Sequence, residues 1–174
     1  MKIAFKYGAI IAVVGIVIGL LSYLLGLHDD LSRMETANTV TQVVTLIVSL
    51  TFMLLAMRAV RAASPDSSLS YGRAVGTGTL VSLFSGLLTA PYILLYGLVI
   101  NPEYHELIYQ QTIAEMTQEQ ADAAEGMMRF FTGPIWLAAM AVVMSPIVGA
   151  LISLILGLFV RRAPQAAAVP AATA

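Results

Sequence analysis

The chain has 174 residues, of which 59% are hydrophobic and only 11% are charged. A soluble domain carries about a quarter charged residues, so this composition predicts an integral membrane protein that is all-α. The absence of cysteine excludes disulfides and thiolate metal sites, and the scattered basic residues form no stripe of the kind that binds nucleic acid.

The first predicted span covers residues 7–27, which carry no charge. A secretory signal has a shorter apolar core of about 7–15 residues and a small-residue cleavage site, so we expect a retained helix. Small residues recur along it at spacings of four and three. They predict a packing seam on one side, although membrane helices are rich in glycine in general: Gly8, Ala12, Gly15, Gly19, Ser22 and Gly26.

The second predicted span, residues 37–57, follows a short linker and should run antiparallel to the first. Its first half is polar, with Thr36, Asn38, Thr39, Thr41, Gln42 and Thr45. Either these side chains lie in the headgroup region or face other helices, or they line a pore in an oligomer. We expect the former, because no ionisable group accompanies them.

The third predicted span, residues 74–100, has no charged residue and carries small residues at every fourth position: Gly78, Ser82, Gly86 and Ala90. Residues four apart lie on one face of a helix, and a face of small residues lets another helix approach closely. Pro91 lies inside this span and acts as either a static kink or a hinge; we expect the static kink.

An extracytoplasmic loop with two helices should connect the third and fourth spans. Asn101, Pro102 and Glu103 form a helix start, which predicts a helix over residues 102–114. Thr117 and Gln120 have the spacing of a capping box, which predicts a second, amphipathic helix over residues 118–131.

The fourth predicted span covers residues 134–160 and contains Pro146, with the same alternatives as Pro91. It repeats the four-residue spacing of small residues, and we predict that it packs on the third span through them: Ala141, Ser145, Gly149, Ser153 and Gly157. Together the four spans make residues 1–162 a single transmembrane domain, a four-helix bundle. The Ala/Pro-rich residues 163–174 are expected to be a disordered tail.

Charge is segregated between the linkers. Seven of the nine basic residues fall at the termini and in the middle linker: Lys2, Lys6, Arg58, Arg61, Arg73, Arg161 and Arg162. All the acidic residues except Asp66 fall on the other side. Basic residues near span ends stay cytoplasmic, which predicts four crossings with both termini in the cytoplasm. Aromatic residues at the opposite, outer interface should include Tyr23, Tyr96, Tyr104 and Trp136.

No catalytic, cofactor-binding or metal-binding residue is assigned from the sequence. The predicted spans contain no charged residue, which argues against an active transporter and an intramembrane protease. One cluster combines imidazoles and carboxylates that could ligate a divalent cation. We expect it instead to be a solvated acidic face: His28, Asp29, Asp30, Glu103, His105 and Glu106.

The chain resembles the four-span membrane proteins, mainly bacterial, of domain-of-unknown-function family four-one-nine-nine. Asn101 departs from the Asp that often precedes the proline in that family, and the middle linker is reduced. The resemblance implies four helices and an inner-membrane location, and it implies no activity. It is carried by FKYGAIIAVVGIVIGLLSYLLGL at 5–27, LSYGRAVGTGTLVSLFSGLLTAPYILLY at 69–96, NPEYHE at 101–106 and EGMMRFFTGP at 125–134.

These observations predict a non-enzymatic accessory or structural component of the bacterial inner membrane. It would act in the lipid bilayer through helix packing, against a protein partner or a second copy of itself, and without a cofactor. One alternative is an oligomeric passive channel or the subunit of a small-solute transporter. Another is a lipid-modifying enzyme, for which no nucleophile–base pair is recognisable in the sequence.

Overall fold

A computed structural model describes residues 1–28, 31–114 and 116–161, and the predicted tail lies outside this range. The described residues contain no strand, which confirms the all-α class. A π-helical turn, Tyr96–Ile100, continues the third helix. The helices are α1 Lys2–Leu24, α2 Leu31–Ala62, α3 Tyr71–Leu95, α4 Tyr104–Ile113, α5 Gln118–Thr132 and α6 Pro134–Val160.

Four of these helices are long and apolar enough to cross a membrane: Lys2–Leu24, Arg33–Ala62, Tyr71–Ile100 and Pro134–Val160. Their outward sides carry large apolar side chains, such as Ile155, which is 63% exposed. Such surfaces are stable in lipid, so the protein is a multi-pass membrane protein.

Helices α3 and α6 pack antiparallel through their small residues, which confirms the predicted interface. Every fourth residue along α3 faces every fourth residue of α6, counted in the opposite direction. The two backbones therefore remain in close contact over several turns. The opposed pairs are Ala74 with Gly157, Gly78 with Ser153, Ser82 with Gly149, and Gly86 with Ser145.

Helix α1 runs parallel to α3 and lies against it at two glycines. A Cβ on Gly8 would lie 2.6 Å from the Val81 carbonyl oxygen, and one on Gly19 would lie 2.8 Å from the Tyr92 hydroxyl. The predicted seam is wrong at Gly15, because no heavy atom of a neighbouring helix reaches within 4 Å of its Cβ position.

The end of the bundle that holds the N-terminus and residue 161 is here called the terminal end. Arg73 Nη1 of α3 donates to Ser64 Oγ of the α2–α3 linker over 3.0 Å. Arg61 Nη1, near the end of α2, donates to the Val160 carbonyl at the end of α6 over 3.4 Å. A buried core that includes Met53 closes the bundle near this end, together with Met57, Leu69, Ala74 and Val160.

The opposite end, here called the loop end, carries α4 and α5. The capping box of Thr117 and Gln120 is confirmed by reciprocal bonds of 3.1 and 3.4 Å. Helix α4 begins at Tyr104, two residues later than predicted. Asn101 does not cap it, because its side-chain amide donates to the Tyr96 hydroxyl over 3.2 Å.

Candidate functional site

A polar face of α2 lines a cavity of about 380 Å³ in the middle of the bundle. Thr41, Thr45 and Ser49, spaced four residues apart, share this face with Gln42, and Ser85 of α3 joins them. We call this space the hydroxyl cavity. The apolar part of its lining comes from α1, α2 and α6 and includes Ile11, Leu46, Met53, Val148 and Ile152.

The placement of the polar half of α2 confirms that several of its residues face other helices. Asn38, Thr41 and Thr45 are half-buried inside the bundle, whereas Thr36 and Thr39 are exposed. A monomer therefore already encloses part of the polar surface that an oligomeric pore would have used.

The hydroxyl groups of the cavity differ from other hydroxyls in the helices in their hydrogen bonds. Thr39 and Thr51, on the exposed side of α2, donate to the carbonyls of Glu35 and Ile47 over 3.0 and 2.8 Å. Such bonds to the preceding turn are the usual way in which a helix satisfies a hydroxyl. By contrast, no hydrogen bond to a described residue is made by Thr41, Thr45, Ser49 or Ser85. The cavity therefore offers both donors and acceptors that the protein itself leaves unused.

A second cavity of about 450 Å³ adjoins the first at the loop end, and the two share Thr41 and Gln42. We call its cluster of rings the aromatic mouth: Tyr92, Tyr96, Tyr104, His28 and His105. The rings of Tyr96 and Tyr104 meet edge to face at 5.3 Å, and His28 lies 4.9 Å from Tyr104. Such contacts stabilise the cluster beyond simple burial.

The π turn positions the centre of the aromatic mouth. The backbone N–H of Asn101 donates to the Tyr96 carbonyl over 2.7 Å. This bond spans five residues where an α-helical bond spans four, so the turn contains one extra residue. The Tyr96 hydroxyl then pairs with His28 Nδ1. Gly97 leaves room for the ring of His105, because a Cβ there would overlap with Nε2 of that ring.

His105 is held as a neutral imidazole of defined tautomer. Its Nδ1 lies 2.9 Å from the Thr132 carbonyl, which only accepts, so Nδ1 carries the proton. Nε2 is buried and has no hydrogen-bond partner among the described residues. Burial lowers the pKa of His105, and the bond to Thr132 offsets part of that shift. Burial also raises the pKa of Tyr104, against the effect of its hydrogen bond with Asn38.

The expectation of a solvated acidic face is wrong for its two histidines. His28 is only 7% exposed, and both imidazoles belong to the aromatic mouth, while Glu103 and Glu106 remain on the surface. Asp29 and Asp30 lie outside the described residues. In the part of the chain that the structure describes, no group of three or more His, Cys, Asp or Glu side chains could hold a metal ion.

Sequence reasoning missed the assembly of this mouth. Tyr96 and Tyr104 were expected to anchor the bundle at the outer interface, where aromatic residues are common in any membrane protein. The spacing of four between Tyr92 and Tyr96 places both on one helix face and was a usable signal. The π turn left no comparable signal in the residue pattern.

Comparison with known proteins gives a family and no activity. A family model described as "Protein of unknown function (DUF4199)" matches residues 6–162. No curated protein and no solved structure matches the chain.

Proposed function

The chain belongs to this family of proteins of unknown function, and we propose that it is a non-enzymatic accessory component that binds a small molecule between its helices. The observation that carries the proposal is the set of unused hydroxyls in the hydroxyl cavity. Ser145 Oγ lines the same cavity, is buried and has no hydrogen-bond partner among the described residues. Buried polar groups are normally hydrogen-bonded, so a preformed cavity with such a group and several half-buried unpaired hydroxyls favours a site with an exchangeable occupant.

The same geometry supports binding over catalysis. No hydroxyl of the cavity bonds to a described histidine, and His105 already uses Nδ1 on the Thr132 carbonyl. A serine or threonine nucleophile needs an adjacent base to become reactive, so none of these hydroxyls is activated.

Filling the cavity tests the proposal directly. The protein is purified in mild detergent, and native mass spectrometry records any non-protein mass that remains bound. Thr45→Trp should fill the cavity and remove that mass, whereas Thr51→Trp, on the exposed side of α2, should retain it. A wild-type protein without bound mass, or a Thr45→Trp variant that keeps it, would contradict the proposal.

A passive channel is the second candidate, because the two cavities form a polar tract from the loop end to mid-bundle. The tract ends at Met53, beside a buried apolar core near the terminal end. We therefore propose that the monomer does not conduct. Liposomes that contain the protein should retain a trapped polar dye as well as empty liposomes do, and leakage would favour the channel.

We also propose that the protein lies in the bacterial inner membrane with its terminal end in the cytoplasm. The support is the cluster of basic residues at that end. The chain has no cysteine, so single-cysteine variants report topology cleanly. In intact cells, a membrane-impermeant maleimide should label Glu119→Cys and leave Lys2→Cys unlabelled. The reverse pattern would overturn this orientation.

An accessory role also requires a partner, either another protein or a second copy. Cross-linking in native membranes followed by purification should capture it. Deletion of residues 102–129 should abolish capture without preventing membrane insertion if the loop holds the partner. Retention of the same cross-linked partner would place the contact on the membrane-spanning helices instead.

A further inference from the structure

Two residues that line the hydroxyl cavity, one on α2 and one on α6, are exposed on the outer surface of the bundle, which indicates a lateral opening between these helices. They are Leu46 on α2 and Val148 on α6, which are 50% and 45% exposed. Both residues lie within membrane-spanning helices, so their exposed atoms face the hydrocarbon of the bilayer. A molecule dissolved in the membrane can reach the hydroxyls along this side without crossing the aromatic mouth.

Among the described residues, the lining of the two cavities has no readily ionised side chain except the imidazoles of His28 and His105. Of the described residues around the cavities, none is Lys, Arg, Asp or Glu. Burial lowers the pKa of His105 and so favours its neutral form, and the bond to the Thr132 carbonyl offsets only part of that shift. A charged head group would lose its hydration there and gain no partner of opposite charge, which is strongly unfavourable. The lining therefore selects an uncharged occupant.

The polar lining has a specific hydrogen-bonding character. Each hydroxyl of Thr41, Thr45, Ser49 and Ser85 can donate one bond and accept others, and the Gln42 amide can do both. A head group that itself donates and accepts, such as an alcohol, satisfies these groups best. The rest of the wall is apolar, with Ile11, Leu46 and Ile152 among its residues, and suits an alkyl chain.

From these three observations we infer that the occupant is a neutral lipid with a hydroxylated head group. It enters from the bilayer between α2 and α6, its hydroxyls bond to the hydroxyl cavity, and its chain lies along Leu46 and Val148. This inference rests on the proposed function and adds to it the chemical class of the ligand and its route of entry.

The test compares three probes with the same hydrocarbon chain: monooleoylglycerol, oleic acid as its anion, and oleylammonium. Each is titrated into the purified full-length protein, and binding is followed by native mass spectrometry and by the shift in unfolding temperature. Monooleoylglycerol should bind and raise the unfolding temperature, and the two charged probes should do neither. Equal or tighter binding of a charged probe would overturn the inference.

Paired variants on α2 locate the site. The double variant Thr41→Val/Thr45→Val removes two hydroxyls at constant shape and should weaken monooleoylglycerol binding about tenfold or more. The matched control, Thr39→Val/Thr51→Val, makes the same change on the exposed face and should bind like the wild type. An equal loss in both variants, with both still folded by circular dichroism, would overturn the placement of the ligand.

The two proposals fail in different ways. If no oleoyl probe binds, but the wild type still carries a native mass that Thr45→Trp removes, the ligand class is wrong and the binding function stands. If the wild type carries no such mass and no probe binds, both are wrong.

Discussion

The close packing of α3 on α6 makes a sharp prediction at Gly86. A Cβ at this position would lie 2.5 Å from the Ala141 carbonyl oxygen, a backbone atom that cannot rotate away, and would also overlap with Ser145 Oγ. An ordinary contact is at least 3.4 Å. Gly86→Ala therefore requires the two backbones to separate by about 0.9 Å along this line (3.4 − 2.5).

Such a shift is expensive because it opens contacts along the whole seam and not only at one residue. Overpacking of this kind costs about 1–3 kcal/mol, and we expect Gly86→Ala to lose that amount of unfolding free energy. The matched control is Gly76→Ala on the same helix, where no heavy atom lies within 4 Å of the Cβ position. Alanine favours a helix over glycine, so the control should be neutral or more stable.

The assay is unfolding of the purified protein in mild detergent, with helix content followed by circular dichroism during a denaturant titration. Gly86→Ala should unfold at a lower denaturant concentration than both the wild type and Gly76→Ala. Identical transitions for the two alanine variants would refute the claim that the α3–α6 seam is in backbone contact.

Three further predictions concern the loop end. Tyr96→Phe removes a hydroxyl with two hydrogen-bond partners and should lower the unfolding free energy by about 1–3 kcal/mol in the same titrations. The control Tyr71→Phe removes an exposed hydroxyl and should cost less than about 1 kcal/mol. Equal costs for the two variants would contradict the prediction. Burial lowers the pKa of His105 below 6.5, so the unfolded chain binds the proton more readily. Stability should be complete well above pH 6.5 and fall as the pH drops below it toward the lower pKa of the folded state, and His105→Asn should flatten that fall in the same titrations. Arg129→Met breaks an ion pair of 2.7 Å with Glu106 between half-exposed side chains, and solvent screens such a pair. The variant should therefore leave the unfolding transition almost unchanged and increase hydrogen exchange only in α4 and α5; faster exchange in α6 would show a wider role.

The pattern of small residues was enough to predict the main interface. Gly78 and Ser153 occupy matching positions in two four-residue repeats, and helices in lipid associate closely only through such residues. The capping box at Thr117 was equally local, because its bonds join residues three apart in the sequence. Features of this kind depend on one helix at a time and can be read from the chain.

The candidate site could not be predicted in the same way. His28 and Tyr96 are 68 residues apart, and they meet only because α1 and α3 run parallel and the π turn rotates the end of α3. The hydroxyls of α2 were visible in the sequence, but whether they faced lipid, a pore or a cavity depended on the separation of α2 from α6. That separation is set by how both helices pack on the other two membrane-spanning helices. The residue pattern of one helix does not encode this packing.

The arrangement of the loop end also depends on the number of residues in the π turn, because the extra residue sets the direction in which the chain leaves α3. An α-helix advances about 100° per residue, so removing one residue between Leu98 and Ile100 would restore ordinary helical winding and rotate everything beyond it by that angle. The Asn101 side chain would no longer reach the Tyr96 hydroxyl, and the imidazole of His105 would no longer pack against Gly97. A one-residue deletion that leaves the six described helices intact would thus separate the rings of the aromatic mouth, whereas the same deletion in a flexible surface loop would leave them in place.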